Sequence, residues 1–409
     1  MTRLAIKKPL AAVLAAGVVC ASTAQSPMVA SAGELPTIPA VAPGQEEPVL
    51  HEGAPIPVRF GLGDYVGYIS DLSSHPWGVY LDVISDFKNL KTNQAVMVSN
   101  LDQVVDINNN ASPETIARAQ SDALADQDGV FTAIIDAFGT ENAEYLKTAL
   151  AEHRLPKTSM LFNGGWFARA GGIASSTFVE KAIYKNSRPF VSAPERIKRY
   201  EVPGEEIYLS SKSFPSGHTN QATWVTTLLA AALPEYSEQL LARGSESGYN
   251  RMVLGVHYPL DIMGGRMTGT AAAADRWNDP KMRAAVTAAA EEIRAELAWR
   301  HSLNPQGVNA PYSTNPVGEY TERMSYGFEA IASTSEAMIV PQQAPDLLVN
   351  KFPELNWEQR RQILEQTATP SGMPLDVAGK ASWERLNLAA AFAARYQLDD
   401  AGNVHVLSL

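Results

Sequence analysis

"SFPSGHTNQATWVTTLLAAALPEY", residues 213–236, decides how the rest of the chain is read. From Thr219 to Leu233 the residues are mostly apolar or small, no period of two is present, and Pro234 closes the run. The stretch therefore reads as a helix and not a strand. Ser216 stands where a helix cap is needed, and Gly217 and His218 then present backbone N–H groups that have no partner in the first turn. A helix N-terminus with a glycine is a natural anion site, because unpaired donors and the positive end of the helix dipole meet there. The bland alternative is a structural cap with an incidental histidine, and this stretch by itself does not choose between the two.

Helical signals continue on both sides. Ser112 and Pro113 open a helix, with Ile116, Ala119 and Ala123 at helical spacing. Further helices are expected over 130–138, after a cap at Thr140, and over 173–185, 235–254, 261–277 and 280–299. Residues 64–110 show no clean period. The expected fold class is thus all-α, a helical bundle over 58–300. Residues 301–409 form a mostly helical C-terminal extension or small domain, with short helices near 347–351, 357–365 and 382–396.

The first 32 residues read as a signal peptide: Arg3, Lys7 and Lys8, then an apolar run over 10–21, then small-residue cleavage sites near 24 or 32. A retained anchor is the alternative. Cys20, the only cysteine, lies inside this leader, so the processed chain has no disulfide, thiolate metal site or cysteine nucleophile. A Pro/Ala-rich linker follows over 33–57. We expect export to the periplasm or the outside of a bacterium, and no transmembrane segment in the processed chain.

The 409 residues, 45% apolar and 19% charged, suit a globular protein with a sizeable core. A net charge of −11 argues against a nucleic-acid partner or a general anionic-membrane binder, which need a broad basic surface. A local basic pocket is compatible with it.

Three stretches hold residues for chemistry. In "KAIYKNSRPF", residues 181–190, Lys181 and Arg188 are two helical turns apart, and Pro189 places Arg188 where the helix gives out. A solvated basic face is the alternative. The second is the Ser216, Gly217, His218 helix start. In "NRMVLGVHYPLD", residues 250–261, Pro259 suits the first turn of a new helix, so Asp261 is placed to reach back to His257. An aspartate on one ring nitrogen leaves the other as base or nucleophile. Stabilisation of a helix start is the alternative for Asp261, but it leaves His257 and Arg251 unexplained. Together the stretches supply three cations, a helix N-terminus and two histidines, an inventory for a tetrahedral oxyanion. Phosphoryl transfer places its demand on charge stabilisation and positioning in this way.

The pattern Lys-x6-Arg-Pro, Pro-Ser-Gly-His, Arg-x5-His-x3-Asp resembles the type 2 phosphatidic acid phosphatase superfamily, which includes bacterial class A non-specific acid phosphatases and vanadium haloperoxidases. One departure is Asn250, where the family usually has serine. The resemblance implies an all-α bundle and an acid phosphatase acting on phosphorylated small molecules. It implies that His257 attacks phosphorus and that Asp261 orients it. His218 would protonate the leaving oxygen and then activate water, while Lys181, Arg188, Ser216, Gly217 and Arg251 hold the phosphate. No cofactor or metal is implied, except vanadate under the alternative haloperoxidase reading. A phosphatase acting on lipid phosphates is a further alternative. The remaining histidines, His51, His75, His153, His301 and His405, read as structural or surface residues.

Overall fold

The computed structural model describes residues 46–61, 79–125, 129–163, 177–202 and 211–409. The leader and most of the linker lie outside them, as do His75 and residues 173–176 of one expected helix. The described chain is mostly α-helical, with one small antiparallel hairpin.

The longer helices are α1 (Gln94–Asn109), α2 (Pro113–Ala123), α3 (Thr140–Ala151), α4 (Phe178–Tyr184), α5 (Gly217–Ala232), α6 (Ser237–Val253), α7 (Pro259–Asn278) and α8 (Pro280–Leu303). In the C-terminal part come α9 (Pro316–Ser325), α10 (Trp357–Gln366), and strands β1 (Arg395–Leu398) and β2 (Val404–Ser408). Helix starts follow local chemistry. Ser112 accepts from Thr115 N, Asp279 from Lys281 N and Met282 N, and α2, α7 and α8 each carry proline in the first turn.

Helices α5, α6 and α7 form the centre. α5 is buried on every face from His218 to Ala232, because α6, α7 and α8 all pack on it. Burying Val225, Leu228 and Leu229 contributes about 1.5–3 kcal/mol each. The approach of α7 to α5 depends on Gly265: a Cβ there would stand 2.7 Å from Ser216 O and 2.9 Å from Thr219 Cβ. This contact sets the C-terminal motif beside the helix start at Ser216.

Several expectations change in detail. Thr140 is the first residue of α3 and not its cap; Gly139, at φ +94°, holds the cap position, and Thr140 Oγ1 accepts instead from Ala310 N at 3.1 Å. The open region contains α1, which Asn93 caps through Val96 N. Near 347–351 the helix is a 3-10 turn, Ala344–Leu348. The expected helix over 382–396 shrinks to Leu388–Ala393, and Tyr396 belongs to β1.

The C-terminal part is fastened to the central helices. Trp277 Nε1 donates to Asp346 O at 2.8 Å, Asn350 Nδ2 to Ala231 O at 2.9 Å, and Arg266 Nη2 to Glu384 O at 2.9 Å. Leu347, Leu386 and Phe392 join Leu228, Met263 and Trp277 in one apolar core.

Candidate active site

The site begins at the turn between α6 and α7. Gly255 takes φ +71°, and a Cβ there would lie 2.5 Å from Ile197 Cγ2, so the position needs glycine both for its backbone and for its space. The chain reverses and His257 follows, buried at 1% exposure. Asp261 sits on the first turn of α7, where its Oδ2 accepts Tyr258 N at 2.8 Å and lies 3.2 Å from His257 Nδ1. Both sequence readings of Asp261 are therefore realised by one carboxylate, which stabilises a helix start and holds a histidine. With Nδ1–H donating to Asp261, Nε2 carries the lone pair. Arg188 Nη1 stands 3.1 Å from that Nε2.

Arg188 is at 3% exposure and is held by carbonyls and a hydroxyl: Nη1 donates to Val256 O at 2.8 Å, Nε to Ser211 O at 3.0 Å and Nη2 to Ser211 Oγ at 2.6 Å. Its position corrects the expected common helical face with Lys181. α4 ends at Tyr184, Lys185 turns left-handed at φ 50°, and Arg188 is extended at ψ 155°. The two cations meet through the facing segment instead, where half-buried Lys181 donates from Nζ to Lys212 O at 2.7 Å and Ser213 O at 3.1 Å.

Ser216 caps α5. Its Oγ accepts from Thr219 N at 3.3 Å and from Thr219 Oγ1 at 2.9 Å, so its own hydrogen remains to donate. Ser216 N donates to Asp261 O at 2.9 Å, which ties the cap to the third motif. Gly217 opens the helix where a Cβ would meet Thr177 Oγ1 at 3.0 Å. His218 is buried and lines a small cavity with Asp122, Gln221, Ser247 and Arg251. Arg251 is fully buried, with Nη2 on Ala119 O at 3.1 Å.

Burial pushes the His257 imidazolium well below the ordinary histidine range, and the charges of Arg188, Lys181, His218 and Arg251 push the same way. Burial and Arg188 lower Lys181, against the pull of Asp261 and Glu180. Burial raises Asp261, although Tyr258 N, Lys181, Arg188 and Ser213 oppose it. Burial leads all three shifts; the neighbouring cations deepen it for His257 and Lys181 and oppose it for Asp261.

Sequence reading missed the residues around this centre. Ser213 Oγ lies 3.3 Å from Asp261 Oδ1 and accepts from Asn186 Nδ2 at 3.0 Å. Ser211 holds Arg188. Asn250, the departure from the family pattern, donates from Nδ2 to Asp122 Oδ2 at 2.7 Å, and Asp122 pairs with buried Arg243. Its amide joins α6 to α2 one residue before Arg251.

Residues 164–283 match the PAP2 superfamily. The chain carries a PAP2 superfamily domain. Among similar curated proteins, the non-specific acid phosphatase of Salmonella typhimurium is 30% identical over 135 residues, 33% of this chain and 50% of that protein. The non-specific acid phosphatase of Providencia stuartii is 29% identical over 177 residues, 43% of this chain and 66% of that protein. The acid phosphatase of Zymomonas mobilis is 28% identical over 125 residues, 30% and 46% of the two chains. The chain spans about half the length of the first relatives it matches. The PAP2 match covers all three motifs and ends just inside α8, so α9, α10 and the hairpin lie beyond it. Among the described residues no helix is long and apolar enough to cross a membrane.

Proposed function

We propose that this protein hydrolyses phosphate monoesters of small molecules through a phosphohistidine on His257, without a metal. The supporting observation is the fixed His257 ring: Nδ1 lies on a buried carboxylate, and Nε2 faces the guanidinium that would hold a phosphate oxygen.

In the first step the Nε2 lone pair attacks phosphorus, the P–O bond to the leaving group breaks, and His218 gives its proton to the leaving oxygen. Asp261 stabilises the cationic phosphoimidazole. In the second step His218 takes a proton from water, the hydroxide attacks phosphorus, and the P–N bond breaks to return neutral His257 and phosphate. Lys181, Arg188, Arg251, the Ser216 hydroxyl and Gly217 N–H hold the oxygens and offset their charge, the task that a divalent cation performs elsewhere. The depressed His257 pKa keeps the nucleophile neutral in acid, where an ordinary histidine donor is protonated, so catalysis is expected on the acid side of neutrality. We also propose export of the protein from a bacterial cell, from the charged, apolar and small-residue order of the leader.

Phosphate release from p-nitrophenyl phosphate, nucleotides, sugar phosphates and lipid phosphates, with and without chelator, tests the reading. Turnover resistant to chelator supports it. Turnover that chelator abolishes, or halogenation on addition of vanadate, peroxide and bromide without phosphate release, overturns it.

A further inference from the structure

We infer that Ser213, held by Asn186, is a positioning residue for the His257–Asp261 pair, with a hydroxyl that turns to Asp261 when that carboxylate carries charge. The inference rests on the proposed role of His257.

Ser213 is fully buried, so water does not complete its hydrogen bonds. Its Oγ accepts from Asn186 Nδ2 at 3.0 Å, which leaves one hydrogen to donate. Three acceptors stand within reach of that hydrogen: Ser187 O at 3.2 Å, Asp261 Oδ1 at 3.3 Å and Asn186 O at 3.4 Å. The backbone holds the hydroxyl in place, since Ser213 N donates to Asn186 O at 2.9 Å and Lys181 Nζ donates to Ser213 O at 3.1 Å.

The choice of acceptor follows the charge. Asp261 Oδ2 is occupied by Tyr258 N and His257 Nδ1, while Oδ1 has Ser213. A hydrogen bond to an ionised acceptor is roughly twice as strong as one to a neutral acceptor. When His257 becomes the cationic phosphoimidazole, Asp261 must be an anion, and the Ser213 O–H belongs on Oδ1. When Asp261 is protonated, the hydroxyl does better on Ser187 O. Ser213 thus stabilises the charged intermediate more than the resting site. Asn186 brings the first motif into the same device, because its amide fixes which lone pairs of Oγ remain.

Ser213→Ala removes the donor and leaves the carboxylate. A hydrogen bond to a charged group is worth roughly 10- to 100-fold in an equilibrium, and we expect kcat to fall within about that range with KM little changed. The sign of the pH effect is fixed. Without the donor, Asp261 holds its proton more tightly, so the acid limb of kcat moves to higher pH. Ser213→Thr keeps the hydroxyl and should return the limb toward that of the wild type. A structural defect lowers the folded fraction without moving the limb. A Ser213→Ala enzyme with an unmoved acid limb overturns the inference, as does one with unchanged kcat. If the Ala variant does not fold, Asn186→Ala is used instead, with a smaller shift in the same direction expected; no shift overturns the inference. His257→Ala separates the two claims. Turnover surviving that change defeats the nucleophile assignment, whereas its loss beside an unaffected Ser213→Ala defeats only the role of Ser213.

Discussion

Arg188 Nη1 lies 3.1 Å from Nε2 of His257, the ring nitrogen opposite the one that faces Asp261. Under the proposed mechanism a phosphoryl oxygen would reach this guanidinium, and an N–H would pass from the imidazole to the phosphate on binding. Arg188→Ala should lower kcat/KM by about 100- to 1,000-fold, the usual cost of losing one preorganised donor at developing charge. Arg188→Lys should recover little, because an ammonium does not reproduce the fork on Ser211 and Val256. Steady-state kinetics on p-nitrophenyl phosphate check both variants, and wild-type kcat/KM in the lysine variant contradicts the account.

Burial and the charge of Arg188 lower Lys181 to about 7, against the pull of Asp261 and Glu180. The sign is that of a depressed cation: the amine gives up its proton at lower pH than an ordinary lysine, and a bound anion favours the charged form. Sulfate does not titrate in this range, so its inhibition isolates the enzyme group. Its inhibition constant should weaken as pH rises through about 7 to 9, with proton uptake on binding. Lys181→Met should flatten that dependence. A dependence that persists in the variant would assign it elsewhere.

His218 is the second residue of α5, buried beside Arg251. As the proposed proton donor it would matter most for a poor leaving group. His218→Ala should reduce turnover of alkyl phosphates far more than that of p-nitrophenyl phosphate, whose phenolate leaves without a proton. Competition between the two substrates measures the ratio, and equal losses argue against the assignment.

Glu384 is buried at 1% exposure, and among the described residues neither carboxylate oxygen has a hydrogen-bond partner. Burial raises it to about 7, with Asp376 adding to the rise and Arg266 and Arg385 opposing it. The folded state then holds a proton that the unfolded chain releases near the ordinary glutamate range. Stability should fall as pH rises from about 4.5 to 7 and level off above, a loss of about 3 kcal/mol at 1.36 kcal/mol per pKa unit. Glu384→Gln should remove the Glu384 share of the decline and leave that of Glu292, which burial also raises to about 7. Urea melts at pH 5 and pH 8 check it, and an unchanged decline contradicts it.

The motifs were legible because their signals are local. Ser216, Pro259 and Asp261 act within one turn of their own backbone, and a four-residue spacing suffices to bring Asp261 to His257. The support around them depends on contacts across long separations. Ser213 meets Asp261 across 48 residues and Asn250 meets Asp122 across 128, and no spacing rule carries such pairs. The common face of Lys181 and Arg188 failed at Lys185, where a left-handed residue ends the helix three positions early. The hairpin had a signal, since Asp399, Gly402 and Asn403 form a turn between β-formers. It was obscured because the alanine run before Arg395 extends a helical pattern into it. Helix α1 was hidden for the opposite reason: its buried positions include Asn100 and Asn108, polar residues that hold Leu260 N and the carbonyl of Val253.

The central claim is that His257 carries the phosphoryl group. Mixing enzyme with a fast phosphate ester, quenching in alkali where phosphohistidine survives, and locating the label by mass spectrometry tests it directly. The account predicts one phosphoryl group on the peptide containing His257, accumulating further in His218→Ala, where water is no longer activated. A label on another residue, or turnover by direct transfer to water with none on His257, would contradict it.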